Sequence, residues 1–83
     1  MISQSDISHF VKELVAKEQK TDISAIRDDS TFNELGLDSV NSVFLLSYVE
    51  EHYDVDIDPL SLFDNPTIDS FSAYLFSLIN ESH

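Results

Sequence analysis

Apolar residues recur along this chain at helical rather than alternating spacing. Over residues 4–19, Ile7, Phe10, Val11, Leu14 and Val15 fall at i, i+3, i+4, i+7 and i+8, a stripe on one helix face. Ser3 or Ser5 suits its N-cap, Asp6 its first turn, and Lys17 and Lys20 its last. A second helix is predicted over residues 39–53, with Asp38 as N-cap. Leu45, Leu46, Val49 and Tyr53 form its core stripe, and Val40, Val43, Phe44 and Ser47 a neighbouring one. A helix apolar over more than one face is either deeply buried or meets a partner. Asp58 as N-cap, with Pro59 at the first helical position, opens a short turn through Leu60, Leu62 and Phe63, stopped by Asn65-Pro66. The last helix, about residues 68–80, is capped by Thr67 and carries Ile68, Phe71, Leu75, Leu78 and Ile79, with Tyr74 widening the stripe.

Between the first two helices runs a connection of residues 20–37. Thr21, Asp22, Asp28, Asp29, Ser30 and Asn33 give it loop character, while Ile23, Ile26, Phe32, Leu35 and Leu37 pin it across the core. A loop of this length in so small a domain often carries function. Val55 and Ile57 alternate with Asp54, Asp56 and Asp58, as in a strand, but no pairing mate is visible, so the segment reads as an extended connector. The expected fold is all-α, with three longer helices, one short helix and a long first loop.

Composition narrows the picture. The 83 residues make room for one domain, taken as 1–83. With 42% hydrophobic residues, six Phe and three Tyr, a packed core is expected rather than a disordered acidic tail. One Gly and two Pro disfavour a turn-rich β design. The absence of Cys excludes disulfides and thiolate metal sites. No signal peptide or membrane-length apolar run is seen, so a cytoplasmic monomer is the expectation. The net charge is −12, and it is unevenly spread: Lys12, Lys17, Lys20 and Arg27 balance Asp6, Glu13, Glu18 and Asp22, while residues 28–83 carry acids and no Lys or Arg. Such a field repels phosphate backbones, which argues against nucleic acid. It steers basic protein surfaces toward the chain, or simply keeps it soluble.

The segment Leu35-Gly36-Leu37-Asp38-Ser39-Val40 ends the loop and opens the second helix. Ser39 is expected at the first helical position, where free N–H groups and the positive end of the helix dipole favour an anion such as a phosphate ester. Gly36 permits a positive-φ turn just before it. The bland reading is that Ser39 only supports the capping done by Asp38. This run resembles the attachment motif of acyl and peptidyl carrier proteins. The resemblance extends over about residues 5–80, through Glu50 and Glu51, Val55-Asp56-Ile57 and Phe63-Asp64-Asn65-Pro66-Thr67-Ile68.

The resemblance implies a four-helix carrier bundle and no catalysis by the chain itself. A phosphopantetheinyl transferase would move 4′-phosphopantetheine from coenzyme A onto Ser39, and the arm's thiol would carry an acyl, aminoacyl or polyketide unit between enzymes such as an acyltransferase or ketosynthase. The stretch from Asp58 to Ile68 is similar to carriers of polyketide and peptide assembly lines. A polyketide or hybrid pathway is expected first, a peptidyl or aryl carrier loaded by an adenylating enzyme second, and a fatty-acid carrier third. The length suits a discrete carrier or an excised domain. A rival reading is a carrier-like interaction module that is never modified.

Val40, Phe44, Ser47 and Glu51 share one side of the second helix, and the resemblance turns that side, with Asp38 and Glu50, toward partner enzymes. Phe44 and Ser47 depart from the acidic pattern of many fatty-acid carriers. Phe44 either fills a partner's hydrophobic socket or joins the core. Two other signals are set aside. Asp54-x-Asp56-x-Asp58 begins like a calcium loop, but Pro59 and Asn65 stand where Gly and Glu are needed. Gly36-Leu37-Asp38-Ser39 is not a hydrolase elbow. His9, His52 and His83 are all far from Ser39 in sequence, and His52 is about 20 Å along the helix at about 1.5 Å per residue.

Overall fold

In the computed structural model, residues 2–82 are described, apart from the side chains of Ser39 and Ser82. Four α-helices follow one another: α1 (Gln4–Gln19), α2 (Ser39–Tyr53), α3 (Ser61–Asp64) and α4 (Ile68–Ser82). No strand occurs among the described residues. The first loop contains a single 3-10 turn at Ile23–Ala25.

Each helix start has a local chemical cause. Ser3 caps α1 in a reciprocal box with Asp6, each side chain accepting the other's backbone N–H at 3.1 Å. These bonds hold the Asp6 carboxyl below its ordinary pKa. Asp38 caps α2 by accepting the Asn41 N–H at 2.9 Å. Thr67 accepts the Ser70 N–H through its hydroxyl, and the Ser70 hydroxyl accepts the Thr67 N–H. The one displaced start is that of α3. It begins at Ser61 rather than Pro59, because the Asp58 carboxylate accepts the Leu60 N–H and the Asp58 carbonyl the Ser61 N–H, so a tight turn comes first. The αL residues Lys20 and Asp54 end α1 and α2.

The core is the one that helical periodicity predicts. Ile7, Val11 and Val15 of α1 meet Leu45, Leu46, Val49 and Tyr53 of α2 and Ile68, Phe71, Leu75 and Ile79 of α4. Val55 and Ile57 are buried as an extended connector. The loop is anchored by buried Ile26, Phe32 and Leu37, with the Phe32 ring edge-on to Phe71 at 5.5 Å. Backbone bonds hold it too. Ile68 N–H donates to the Ser30 carbonyl (3.0 Å) and Asp69 N–H to the Asp28 carbonyl (2.8 Å), so the loop receives the first N–H groups of α4. Phe32 N–H returns a bond to the Pro66 carbonyl at 3.0 Å.

Asp28 also joins this loop to α1. Its carboxylate accepts the Ser8 hydroxyl and pairs with the Lys12 ammonium, and these partners, Lys12 first, lower its pKa. A carboxylate with a lowered folded pKa stabilises the fold fully above its unfolded pKa, about 3.9, and loses that contribution as pH falls through the folded value. Asp28 is mostly exposed, so solvent screens the pair. Asp28→Asn is expected to cost about 0.2–1 kcal/mol at pH 7. Chemical denaturation across pH should show the gap between wild type and variant closing below about pH 4.

The short helix α3 turns a serine inward and a phenylalanine outward. Phe63 is 79% exposed and Leu60 is also outward, while Ser61 is buried and its hydroxyl has no hydrogen-bond partner among the described residues. A buried orphan hydroxyl costs about 1–3 kcal/mol. Ser61→Ala removes it without leaving a sizeable void. Thermal denaturation should show a rise in Tm of at least about 4 °C, from about 1 kcal/mol in a domain of this size.

Candidate functional site

The site is built where the first loop turns into α2. Residues 31–37 wind into consecutive turns: Leu35 N–H donates to the Thr31 carbonyl, Gly36 N–H to Asn33 and Leu37 N–H to Phe32, all at 3.0–3.1 Å. Gly36 has φ +81°, a conformation in which a Cβ would be strained. Leu37 is 7% exposed and Leu35 half-buried, so the two leucines grip the core on either side of the glycine. The Gln19 side-chain amide donates to the Gly36 carbonyl at 3.5 Å, tying the turn to the end of α1.

Asp38 is extended, and its carboxylate is engaged with the Asn41 N–H. Ser39 follows as the first residue of α2; its side chain lies outside the described structure. Its backbone position is the one expected, at the positive end of a helix of 15 residues.

Along α2 the two apolar stripes part company. The inner one is buried. On the outer one Val40 and Val43 are exposed, and Phe44 is 53% exposed, so it does not join the core. Ser47 and Glu51 are exposed on the same side. Glu50 is half-buried, and its carboxylate accepts the Ile57 N–H at 2.9 Å, clamping the connector onto α2. Tyr48, unremarked in the sequence, is as exposed as Phe44. Its i+4 spacing from Phe44 extends the series Val40, Phe44, Tyr48.

His9 and His52 are engaged elsewhere on the surface. His9 pairs with Glu13 at 2.6 Å on the surface of α1. His52, in the last turn of α2, stacks on Phe10 with ring centroids 4.1 Å apart. His83 lies outside the described residues. Among the described residues no three His, Asp or Glu side chains gather closely enough to hold a metal ion, and no helix is long and apolar enough to cross a membrane.

Comparison with known proteins identifies the family. Residues 9–75 match the family model described as the phosphopantetheine attachment site. Polyketide synthase PksL of Bacillus subtilis is 36% identical over 64 residues, 77% of this chain and 1% of the synthase. The non-reducing polyketide synthase PKS1 of Zymoseptoria tritici is 33% identical over 63 residues, 76% of the chain and 3% of the synthase. The chain thus spans only a few per cent of these relatives. Among solved structures, a free-standing peptidyl carrier protein from an uncharacterised Acinetobacter baumannii secondary metabolic pathway superposes with a TM-score of 0.85 at 31% identity, covering 90% of this chain and 94% of the other. The HMG-ACPI domain of the CurA module of Lyngbya majuscula also gives 0.85, at 28% identity, covering 98% of this chain and 83% of that domain. These matches show that the chain belongs to the phosphopantetheine attachment-site family, whose members bind covalently attached 4′-phosphopantetheine.

Proposed function

We propose that residues 1–83 act as a single carrier domain that receives its arm on Ser39, holds an acyl or polyketide intermediate, and catalyses no reaction itself. The observation that carries this reading is the placement of Ser39. It is the first residue of α2, directly after a cap made by Asp38 and three residues after the positive-φ Gly36. There the N–H groups and dipole of the helix favour a phosphodiester. A phosphopantetheinyl transferase supplies the arm: the Ser39 hydroxyl oxygen bonds to the pantetheine-side phosphorus of coenzyme A, the pyrophosphate bridge breaks, 3′,5′-ADP leaves, and a base of the transferase takes the hydroxyl proton. The bound arm offers a terminal thiol on which an acyl group is carried as a thioester.

The chain's remaining task is recognition. The exposed face of Val40, Phe44, Ser47 and Glu51, with Tyr48, meets the transferase, acyltransferase and ketosynthase, and the acidic surface speeds encounter with basic partners. Asp38 contributes as a cap, and Glu50 through its hold on the connector.

Intact-mass measurement after incubation with coenzyme A and a broad-specificity transferase tests the reading. A gain of one arm is expected; an unchanged mass would sink it in favour of an unmodified interaction module. The likeness to a free-standing peptidyl carrier supports a second reading, loading by an adenylating enzyme. Acyl transfer from an acyl-coenzyme A by an acyltransferase favours the first reading, and ATP-dependent aminoacylation or arylation the second.

A further inference from the structure

The peptide unit between Gly36 and Leu37 is held at both ends. Its N–H, that of Leu37, donates to the Phe32 carbonyl at 3.0 Å. Its carbonyl, that of Gly36, accepts from the Gln19 side-chain amide at 3.5 Å, the one donor it has among the described residues. The first bond is internal to the loop, whereas the second comes from α1, 17 positions earlier in the chain. Gly36 is the sole glycine and has φ +81°. Glycine passes between positive and negative φ more readily than any other residue, so here the backbone approaching α2 is most free to turn over. Gln19 also lies across the bare face of the glycine, with its Oε1 3.5 Å from the place a Cβ would take.

Gln19 has a firm base from which to hold this peptide. It is the last residue of α1, and the helix end beneath it is closed by Lys20 N–H on the Lys17 carbonyl (3.4 Å) and Thr21 N–H on the Ala16 carbonyl (2.9 Å). The Gln19 side chain is half-buried, which restricts its rotamers. Only its amide nitrogen can serve a carbonyl, so the bond also fixes which way the amide faces. At 3.5 Å the bond is long, and it biases the peptide rather than locking it. Beyond the held peptide, the route to Ser39 has little slack. Leu37 is buried, Asp38 is extended with its carboxylate on the Asn41 N–H, and Ser39 begins α2. The orientation of one peptide plane is therefore passed through two restrained residues to the attachment point.

We propose that Gln19 is a positioning residue for phosphopantetheinyl transfer: by holding the Gly36–Leu37 peptide it keeps the approach to Ser39 in the form a transferase binds. The inference rests on the assignment of the arm to Ser39. When only a fraction of the chains has the competent form, apparent affinity falls by that fraction, while a bound competent chain reacts as before. The test uses the full chain, coenzyme A and a broad-specificity transferase, with the arm located by mass spectrometry of the Ser39 peptide. Gln19→Ala and the isosteric Gln19→Glu, which has no side-chain donor at neutral pH, are each expected to raise the KM for the carrier chain about threefold, within the worth of one neutral hydrogen bond. The kcat and the KM for coenzyme A should be unchanged, the pattern of lost binding rather than lost chemistry. Agreement between the two variants separates loss of the donor from loss of bulk and from added charge. Alanine favours the last turn of α1, so the chain should stay folded with a Tm close to that of the wild type. In the absence of the arm, backbone NMR shifts should move at residues 33–38 and stay in place in α3. An unchanged KM in either variant, or shifts spread through the bundle with a matching fall in Tm, overturns the positioning role and leaves the attachment intact. Absence of the arm from the Ser39 peptide of the wild-type chain overturns the attachment and the role of Gln19 with it.

Discussion

Ser39→Ala is expected to take up no phosphopantetheine under conditions that, on the proposed reading, convert the wild-type chain completely. The expected effect is all-or-none, because the substitution deletes the oxygen that the proposed reading bonds to phosphorus. It is also a clean test of the residue, since the helix already has a cap in Asp38. The Asn41 N–H is received by Asp38, and alanine has the best helix propensity at a position already inside α2. Circular dichroism and Tm should therefore be unchanged within about 0.5 kcal/mol. A failure to gain mass is then chemical and not a consequence of unfolding. Ser42 and Ser47 lie further along the same helix, past its dipole-rich first turn, and are not expected to substitute. A mass gain that persists in Ser39→Ala would move the attachment elsewhere.

Two phenylalanines in adjoining layers should respond in opposite ways. Phe71 is fully buried and holds the first loop through its contact with Phe32. Phe71→Ala is expected to cost about 3–5 kcal/mol, enough to lower Tm by at least about 12 °C in a domain of this size. Phe44 is half-exposed. Phe44→Ala should leave Tm nearly unchanged and weaken association with the enzymes that serve the chain. If it acts as an interface anchor, the loss is about 2 kcal/mol or more, or roughly 30-fold in affinity. Thermal denaturation and transferase kinetics, measured on both variants, separate the two roles. A large fall in Tm for Phe44→Ala, or unaltered kinetics, would remove Phe44 from the docking face.

Much of this molecule was legible because helical periodicity reports burial directly. The stripes of Ile7, Val11 and Val15 and of Leu45, Leu46 and Val49 are core residues in the structure, and the helix limits follow the caps at Ser3, Asp38 and Thr67. Gly36 was readable as a positive-φ residue because it is the sole glycine and stands immediately before a helix start. Tyr48 was missed although the signal existed: the i+4 series from Val40 continues to it. Other features have no one-dimensional signature. Nothing in the sequence pairs Asp28 and Ser30 with the start of α4, because backbone-to-backbone bonds between distant segments are indifferent to side-chain identity. Glu50 reads as one more acid on an acidic helix, and only the path of the connector brings the Ile57 N–H to it. The buried hydroxyl of Ser61 likewise depends on how α3 is rolled about its axis.

The pairing of loop carbonyls with the first N–H groups of α4 bears on how the chain matures. Residues 28–32 precede Ser39, whereas Pro66, Ile68 and Asp69 follow it by more than 25 positions. During synthesis the serine therefore leaves the ribosome well before the segment that orders its approach. The loop leans on the C-terminal helix for its surface, since the start of α4 supplies hydrogen bonds to it and Phe71 the apolar seat for Phe32. If Ser39 receives the arm, as proposed, the shape presented to a transferase depends on α4 being docked, and the fold of the C-terminal helix bears on modification at the start of α2.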